Sequence, residues 1–250
     1  MDNDYRDYRM VPGLDSIICD VLNEEFDVKC RETGHIWFGP WEDDPWEGHC
    51  RKVFELYALK SSLYPIQWGY NFDFMPWDSC FSGYDRPDPR RAGKLVYHRT
   101  DKSAKIDIGG WAFPYIDYDF YNPSKYSFDE HKAFRTKYFV PTCGFENEMQ
   151  ENIEKIKAVV RRNIPFMLDW FSKWKTIDDF IDSYTKSITE NETEHSFPFG
   201  GYWVRGFLFA RQHNIDAAIS DISRVYEKMF KPSIEIPERV RKKLYEVSEM

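Results

Sequence analysis

Ile66-Gln67-Trp68-Gly69-Tyr70-Asn71-Phe72-Asp73-Phe74 alternates apolar and polar or small residues at every step. Successive side chains of an extended chain point to opposite sides, so Ile66, Trp68, Tyr70, Phe72 and Phe74 share one face and Gln67, Gly69, Asn71 and Asp73 the other. That period of two, filled with aromatic residues, predicts a strand with a core face and a polar face. Working outward, His35 to Phe38 and Val53 to Leu59 read as two further strands upstream, set apart by segments rich in Pro, Gly, Asp and Ser, so that the three form an antiparallel meander. Downstream, Lys94 to Arg99 and Lys105 to Ile108 flank the turn-like Thr100-Asp101-Lys102-Ser103 and read as a hairpin.

Helical spacing brackets this β region. Leu14, Ile17, Ile18, Val21, Leu22 and Phe26 recur at steps of three and four, which predicts a helix with one buried face, ending near Gly34. In the second half, Ile153, Ile156, Val159 and Val160 form one stripe, and Pro165 is placed to begin a separate stretch from Phe166 to Trp174. Thr176 with Asp179 has the form of an N-terminal cap for a helix carrying Ile177, Phe180, Ile181, Tyr184 and Ile188. Tyr202 to Gln212 and Ile215 to Phe230, joined by His213-Asn214, read as a helical hairpin, with a charged helix from Glu238 to Val247 behind them. Trp111 to Phe145 alternates aromatic residues irregularly with Asp, Asn and Pro, and a stretch of that length implies short elements within it. The class expected is α+β: an N-terminal helix, an aromatic-rich antiparallel sheet, and a C-terminal helical bundle on or beside it. The division expected is 1–145, mainly β, and 146–250, mainly helical, or one domain spanning both.

Of the 250 residues 42% are hydrophobic, 18% aromatic and 30% charged, which is the balance of a folded chain in which large rings can close a core. The net charge is −8, and the first fifty residues alone hold 4 basic and 13 acidic side chains. With no long basic stripe, an acidic chain is repelled by phosphate backbones, so nucleic acid is not the expected partner. No apolar run is long enough to cross a bilayer, and Met1-Asp2-Asn3-Asp4-Tyr5 lacks a basic start and apolar core, so the expectation is a cytoplasmic protein. Cys19, Cys30, Cys50, Cys80 and Cys143 are widely spaced without a Cys-x-x-Cys pair and are expected as thiols. No glycine-rich phosphate loop is present, and no cofactor is expected.

The most distinctive candidate for function is Trp41-Glu42-Asp43-Asp44-Pro45-Trp46-Glu47, with four carboxylates and two indoles in seven residues. Tryptophans are favoured interface anchors and carboxylates steer a cationic partner, so this segment suits docking onto a basic protein surface. The competing reading folds both indoles onto the sheet and leaves the acids solvated. A second candidate is the polar face of the best strand, where Gln67, Asn71 and Asp73 can floor a pocket and where Asp73 with Asp78, or Asp107 with Asp117, can supply paired carboxylates. His35, His49, Cys50 and Cys80 lack the paired spacing of a zinc site, and no serine or histidine lies in a nucleophilic motif, so neither a metal nor a catalytic set is assigned.

Phe54-Glu55-Leu56-Tyr57-Ala58-Leu59 leading to Gln67-Trp68-Gly69-Tyr70-Asn71-Phe72-Asp73-Phe74, together with Trp170-Phe171 and the segment from Ala210 to Ala218, resembles bacterial domains of unassigned function, some placed among the immunity proteins of polymorphic-toxin systems. The resemblance implies an α+β fold and partner binding, makes the segment from Pro76 to Phe145 an insertion, and implies no active-site residue. The function expected is noncatalytic protein binding, in the manner of an immunity-like neutraliser of a basic partner; the alternative is a small-molecule hydrolase with a carboxylate-containing pocket on the sheet face.

Overall fold

A computed structural model describes residues 8–30, 35–42, 48–56, 62–78, 90, 92–97, 108–111, 127–173, 176, 178–179, 181–182, 186, 200–229 and 235–250. The fold is α+β with antiparallel sheets. Two compact units are each assembled from three segments: unit 1 from Met1–Trp41, Arg51–Asn71 and Ile108–Lys173, and unit 2 from Glu42–Cys50, Phe72–Asp107 and Trp174–Met250. This partition does not follow a single cut between residues 145 and 146.

Unit 1 is organised by a five-stranded sheet. Its strands are β2 (Lys29–Cys30), β3 (Ile36–Glu42), β4 (Cys50–Leu56), β6 (Ile66–Phe72) and β9 (Ile108–Trp111), in the order β2-β3-β4-β6-β9. The three strands legible from alternation thus stand side by side at the centre. Trp68, Tyr70, Phe72 and Phe74 are all buried, as the apolar stripe requires, although the strand itself ends at Phe72. Two short pairs complete the β structure of this unit: β1 (Tyr8–Met10) with β11 (Cys143–Phe145), and β5 (Leu63–Tyr64) with β10 (Val140–Pro141).

Helix α1 (Leu14–Leu22) is shorter than its sequence stripe. Asn23 is its C-cap, and the Asn23 side-chain oxygen accepts from the Val28 N–H at 2.7 Å, drawing the chain into a corner instead of another helical turn. Phe26 remains buried beyond that end. Helix α2 (Phe128–Tyr138) lies in the stretch that resists regular reading and is started by a reciprocal capping box between Ser127 and Glu130.

Helix α3 (Met149–Phe171) runs unbroken through Pro165, correcting the expectation of two helical stretches. Pro165 and Arg161 are both exposed, so the carbonyl deprived of its N–H donor faces water, while Asn152, Ile156, Val159, Val160, Asn163 and Ile164 carry one buried stripe up to the proline and Met167, Trp170 and Phe171 continue it. The end of α3 packs its rings on the sheet. Phe171 lies 5.8 Å from Phe54, 5.9 Å from Phe26 and 5.2 Å from Tyr70, and Trp170 lies 5.5 Å from Tyr70. Such edge-on and tilted contacts add to the stabilisation from buried area.

Unit 2 holds β7 (Pro76–Asp78) paired with β8 (Leu95–Tyr97), and the helices α4 (Gly200–Arg211), α5 (Ile215–Met229) and α6 (Glu238–Ser248). Of the expected hairpin between residues 94–99 and 105–108, residues 98–107 lie outside the described residues; among the described ones β8 pairs with β7, and β9 pairs with β6, placing Gln67 opposite Trp111 and Tyr70 opposite Ile108. Helices α4 and α5 form the expected hairpin. His213 takes a left-handed φ of 61°, and the Asn214 N–H returns to the Phe209 carbonyl at 2.9 Å, a helix stop that also lets Asn214 cap α5. A Cβ on Gly206 would stand 2.8 Å from Ile222 Cδ1, so glycine permits this close helix approach. The Thr176 cap is present, its hydroxyl accepting from the Asp179 N–H at 3.0 Å. Of its helical stripe, Ile177, Phe180, Tyr184 and Ile188 lie outside the described residues.

Candidate functional site

The acidic segment connects β3 to β4, two neighbours in the sheet. Its ends are fixed by backbone geometry. Gly48, at a φ of 77°, donates its N–H to the Glu42 carbonyl at 2.8 Å, which brings the two ends of the segment together. The next residue, His49, accepts from the Asp73 N–H at 3.1 Å through its carbonyl, and its ring Nδ1 lies 3.0 Å from Asp73 Oδ1. The His49 ring also meets Phe74 edge-on at 6.5 Å. Glu42 is partly exposed; Asp43, Asp44, Trp46 and Glu47 lie outside the described residues.

Trp41 precedes this segment and belongs to unit 1. Its ring is faced by the buried Arg51 guanidinium at 4.5 Å, and the same guanidinium lies 4.9 Å from the Phe38 ring. Arg51 Nε donates to Asn71 Oδ1 at 2.9 Å. A desolvated cation held over two rings and by an amide is a packing arrangement. Trp41 itself is half-buried, with one ring face toward Arg51.

The strand face carrying Gln67, Asn71 and Asp73 is covered. Asn71 is 0% exposed and Asp73 8% exposed, while Gln67 is half-buried. Asn71 engages Arg51 within unit 1, and Asp73 engages His49 within unit 2. The structure thus commits the two polar residues to separate partners. Asp78, 1% exposed, accepts from the Gly93 N–H at 2.6 Å and from the Tyr226 hydroxyl, which ties β7 to the turn before β8 and to α5. Asp107, Asp117 and Cys80 lie outside the described residues.

His49 and Asp73 are 24 residues apart, so no local spacing marks them as a pair. Their chemistry is nevertheless specific. A buried carboxylate against one imidazole nitrogen fixes the tautomer and orientation of the ring, whose side chain is 30% exposed. A second pair, His35 Nδ1 with Asp15 Oδ1 at 2.5 Å, lies in unit 1, where the Asp15 side chain is 32% exposed. Among the described residues no group of three or more histidines, cysteines, aspartates or glutamates can hold a metal ion. No described helix is long and apolar enough to cross a membrane. No protein-family profile, curated protein or solved structure matches the chain.

Proposed function

We propose that the chain is a noncatalytic binding protein that uses the acidic segment Glu42 to Glu47 to engage a basic protein, in the manner of an immunity-like neutraliser acting in the cytoplasm. The observation that carries this reading is the joining of that segment's two ends by the Gly48 N–H on the Glu42 carbonyl, between two neighbouring strands. A segment with joined ends loses less conformational freedom on binding than a free tail, and four carboxylates in six residues steer a cationic surface toward it. Trp46 is the aromatic anchor of this account, since Trp41 is engaged by Arg51. The test is a native pull-down with the whole chain as bait, followed by the combined variant Glu42→Gln, Asp43→Asn, Asp44→Asn, Glu47→Gln. A basic protein retained by the parent chain and lost by the variant supports the reading; a partner retained equally by both removes the segment from the interface.

A small-molecule hydrolase is the second reading, and the pairing of His49 with buried Asp73 is the observation that favours it. In that role His49 would serve as general base and Asp73 would hold its tautomer and orientation. Its test is turnover on a panel of ester, amide and phosphoester substrates by the parent chain, Asp73→Asn and His49→Ala. Turnover lost in both folded variants supports the hydrolase; turnover equal in all three assigns the pair to structure.

A further inference from the structure

Tyr202, in the first turn of α4, draws three cations to its ring. The Lys228 ammonium lies 4.5 Å from the ring centroid, the Arg205 guanidinium 5.2 Å and the Arg224 guanidinium 5.5 Å. Helical spacing explains how they meet. Tyr202, Arg205 and Phe209 recur at steps of three and four along α4, and Asp221, Arg224 and Lys228 do the same along α5, so each set lies on one face of its helix. The faces join where buried Arg205 donates to buried Asp221 at 2.5 and 2.7 Å, and the helices approach closely at Gly206. Arg224 and Lys228 are exposed and Tyr202 is half-buried, so the cluster reaches solvent.

Packing does not account for the charge gathered there. Three cations and one carboxylate give these side chains a net charge of +2, within a chain whose net charge is −8. The tyrosine ring attracts each cation through its quadrupole and has no net charge to set against them. The negative end of α5 favours Lys228 in its last turn, but it does not turn Arg224 and Arg205 toward the same ring. A guanidinium has five N–H donors and an ammonium three, so both exposed groups can hold oxygen atoms in addition to their contacts within the protein.

We propose that Arg224 and Lys228, gathered on the Tyr202 ring, form a binding site for a phosphate dianion, either free or as the monoester end of a small molecule. Two exposed cations match the two negative charges. The planar fork of Arg224 suits two phosphate oxygens at once, and Lys228 suits a third as a compact point charge. The ring's part is to hold two long, flexible side chains near one another before the ligand arrives, which lowers the cost of ordering them on binding. Arg205 stays with Asp221 and adds its positive charge from the buried side of the same ring.

The test titrates the isotope-labelled full chain with inorganic phosphate, phenyl phosphate and, as a monoanion, acetate, with ionic strength held constant by sodium chloride, and follows backbone amide and arginine Nε signals by NMR. Saturable shifts centred on Tyr202, Arg224 and Lys228 are expected with inorganic phosphate and phenyl phosphate, and weaker binding with acetate. Saturation by both phosphates assigns the site to the phosphate group itself, whereas saturation by phenyl phosphate alone assigns it to phosphate esters. The double variant Arg224→Gln, Lys228→Gln changes only exposed side chains and should weaken binding about three- to tenfold, while Lys228→Arg, which keeps the charge, should retain it. Shifts no larger than those in chloride alone would overturn the proposal, as would acetate binding as tightly as phosphate or an affinity unchanged in the double glutamine variant. The titration of the parent chain decides the matter even if a variant fails to fold. No substitution touches the acidic segment or His49, so the outcome is separate from both readings of function.

Discussion

Each unit buries an arginine, and they hold it differently. In unit 1, Arg51 of β4 donates to the Asn71 amide and lies 4.9 Å from the Phe38 ring and 4.5 Å from the Trp41 ring. In unit 2, Arg205 of α4 donates two hydrogen bonds to the Asp221 carboxylate, at 2.5 and 2.7 Å, and lies 5.2 Å from Tyr202 and 5.7 Å from Phe209. Both units cluster rings, Phe26, Phe54, Tyr70, Trp170 and Phe171 in unit 1 and Trp77, Trp203 and Phe207 in unit 2, but the buried carboxylates among the described residues, Asp73, Asp78 and Asp221, all lie in unit 2. Ring clusters gain from area and shape; ion pairs repay their desolvation only while both partners remain. Unit 2 is accordingly expected to be the more sensitive to loss of a single charge.

The largest effects should come from breaking one member of each arrangement. Asp221→Ala removes the carboxylate that accepts two hydrogen bonds from buried Arg205 and should cost about 3–5 kcal/mol, read as a shift in the urea midpoint. Phe171→Ala should cost a similar amount, about 3–5 kcal/mol, through the cavity left among its ring partners. The pair then separates the two mechanisms: replacing both Arg205→Met and Asp221→Leu should recover most of the loss, since apolar residues of similar volume carry no desolvation penalty. A double variant as unstable as Asp221→Ala would show that the ion pair itself carries the stability. A smaller effect belongs to Trp41→Ala, about 1 kcal/mol from the lost cation–π contact with Arg51.

Alkaline pH offers a further contrast confined to unit 1. Cys30 holds its proton more tightly in the folded chain than an unfolded thiol does. Its contribution is therefore complete below the ordinary thiol range and lost as pH rises toward about 11. Under reducing conditions, stability should fall across that interval in the parent chain and fall less in Cys30→Ser. Equal alkaline losses in the two proteins would remove Cys30 from the account.

The parts legible in the sequence were those encoded by local spacing. The alternation from Ile66 to Phe74 identifies the buried stripe, and the steps of three and four give α1 and the first part of α3. Alternation cannot say what covers a polar face, so Asn71 and Asp73 read as polar without revealing that Arg51 and His49 engage them. Pairings over long separations were equally silent: β7 finds β8, and β6 finds β9, across intervening segments whose local patterns suggested a different hairpin. Helix α2 buries no residue, so periodicity gave nothing, although Ser127-Phe128-Asp129-Glu130 carries a capping signature at its start. Pro165 misled in the opposite direction, since the buried stripe on both sides of it outweighs one missing hydrogen bond on the exposed side of α3.

The central claim, docking through the acidic segment, is tested most directly by the salt dependence of affinity for the basic partner recovered with the chain. The parent chain should bind more weakly as salt rises, and neutralising Glu42, Asp43, Asp44 and Glu47 together should reduce low-salt affinity by about tenfold to a hundredfold while flattening that dependence. An unchanged affinity and an unchanged salt slope in the neutralised chain would contradict it.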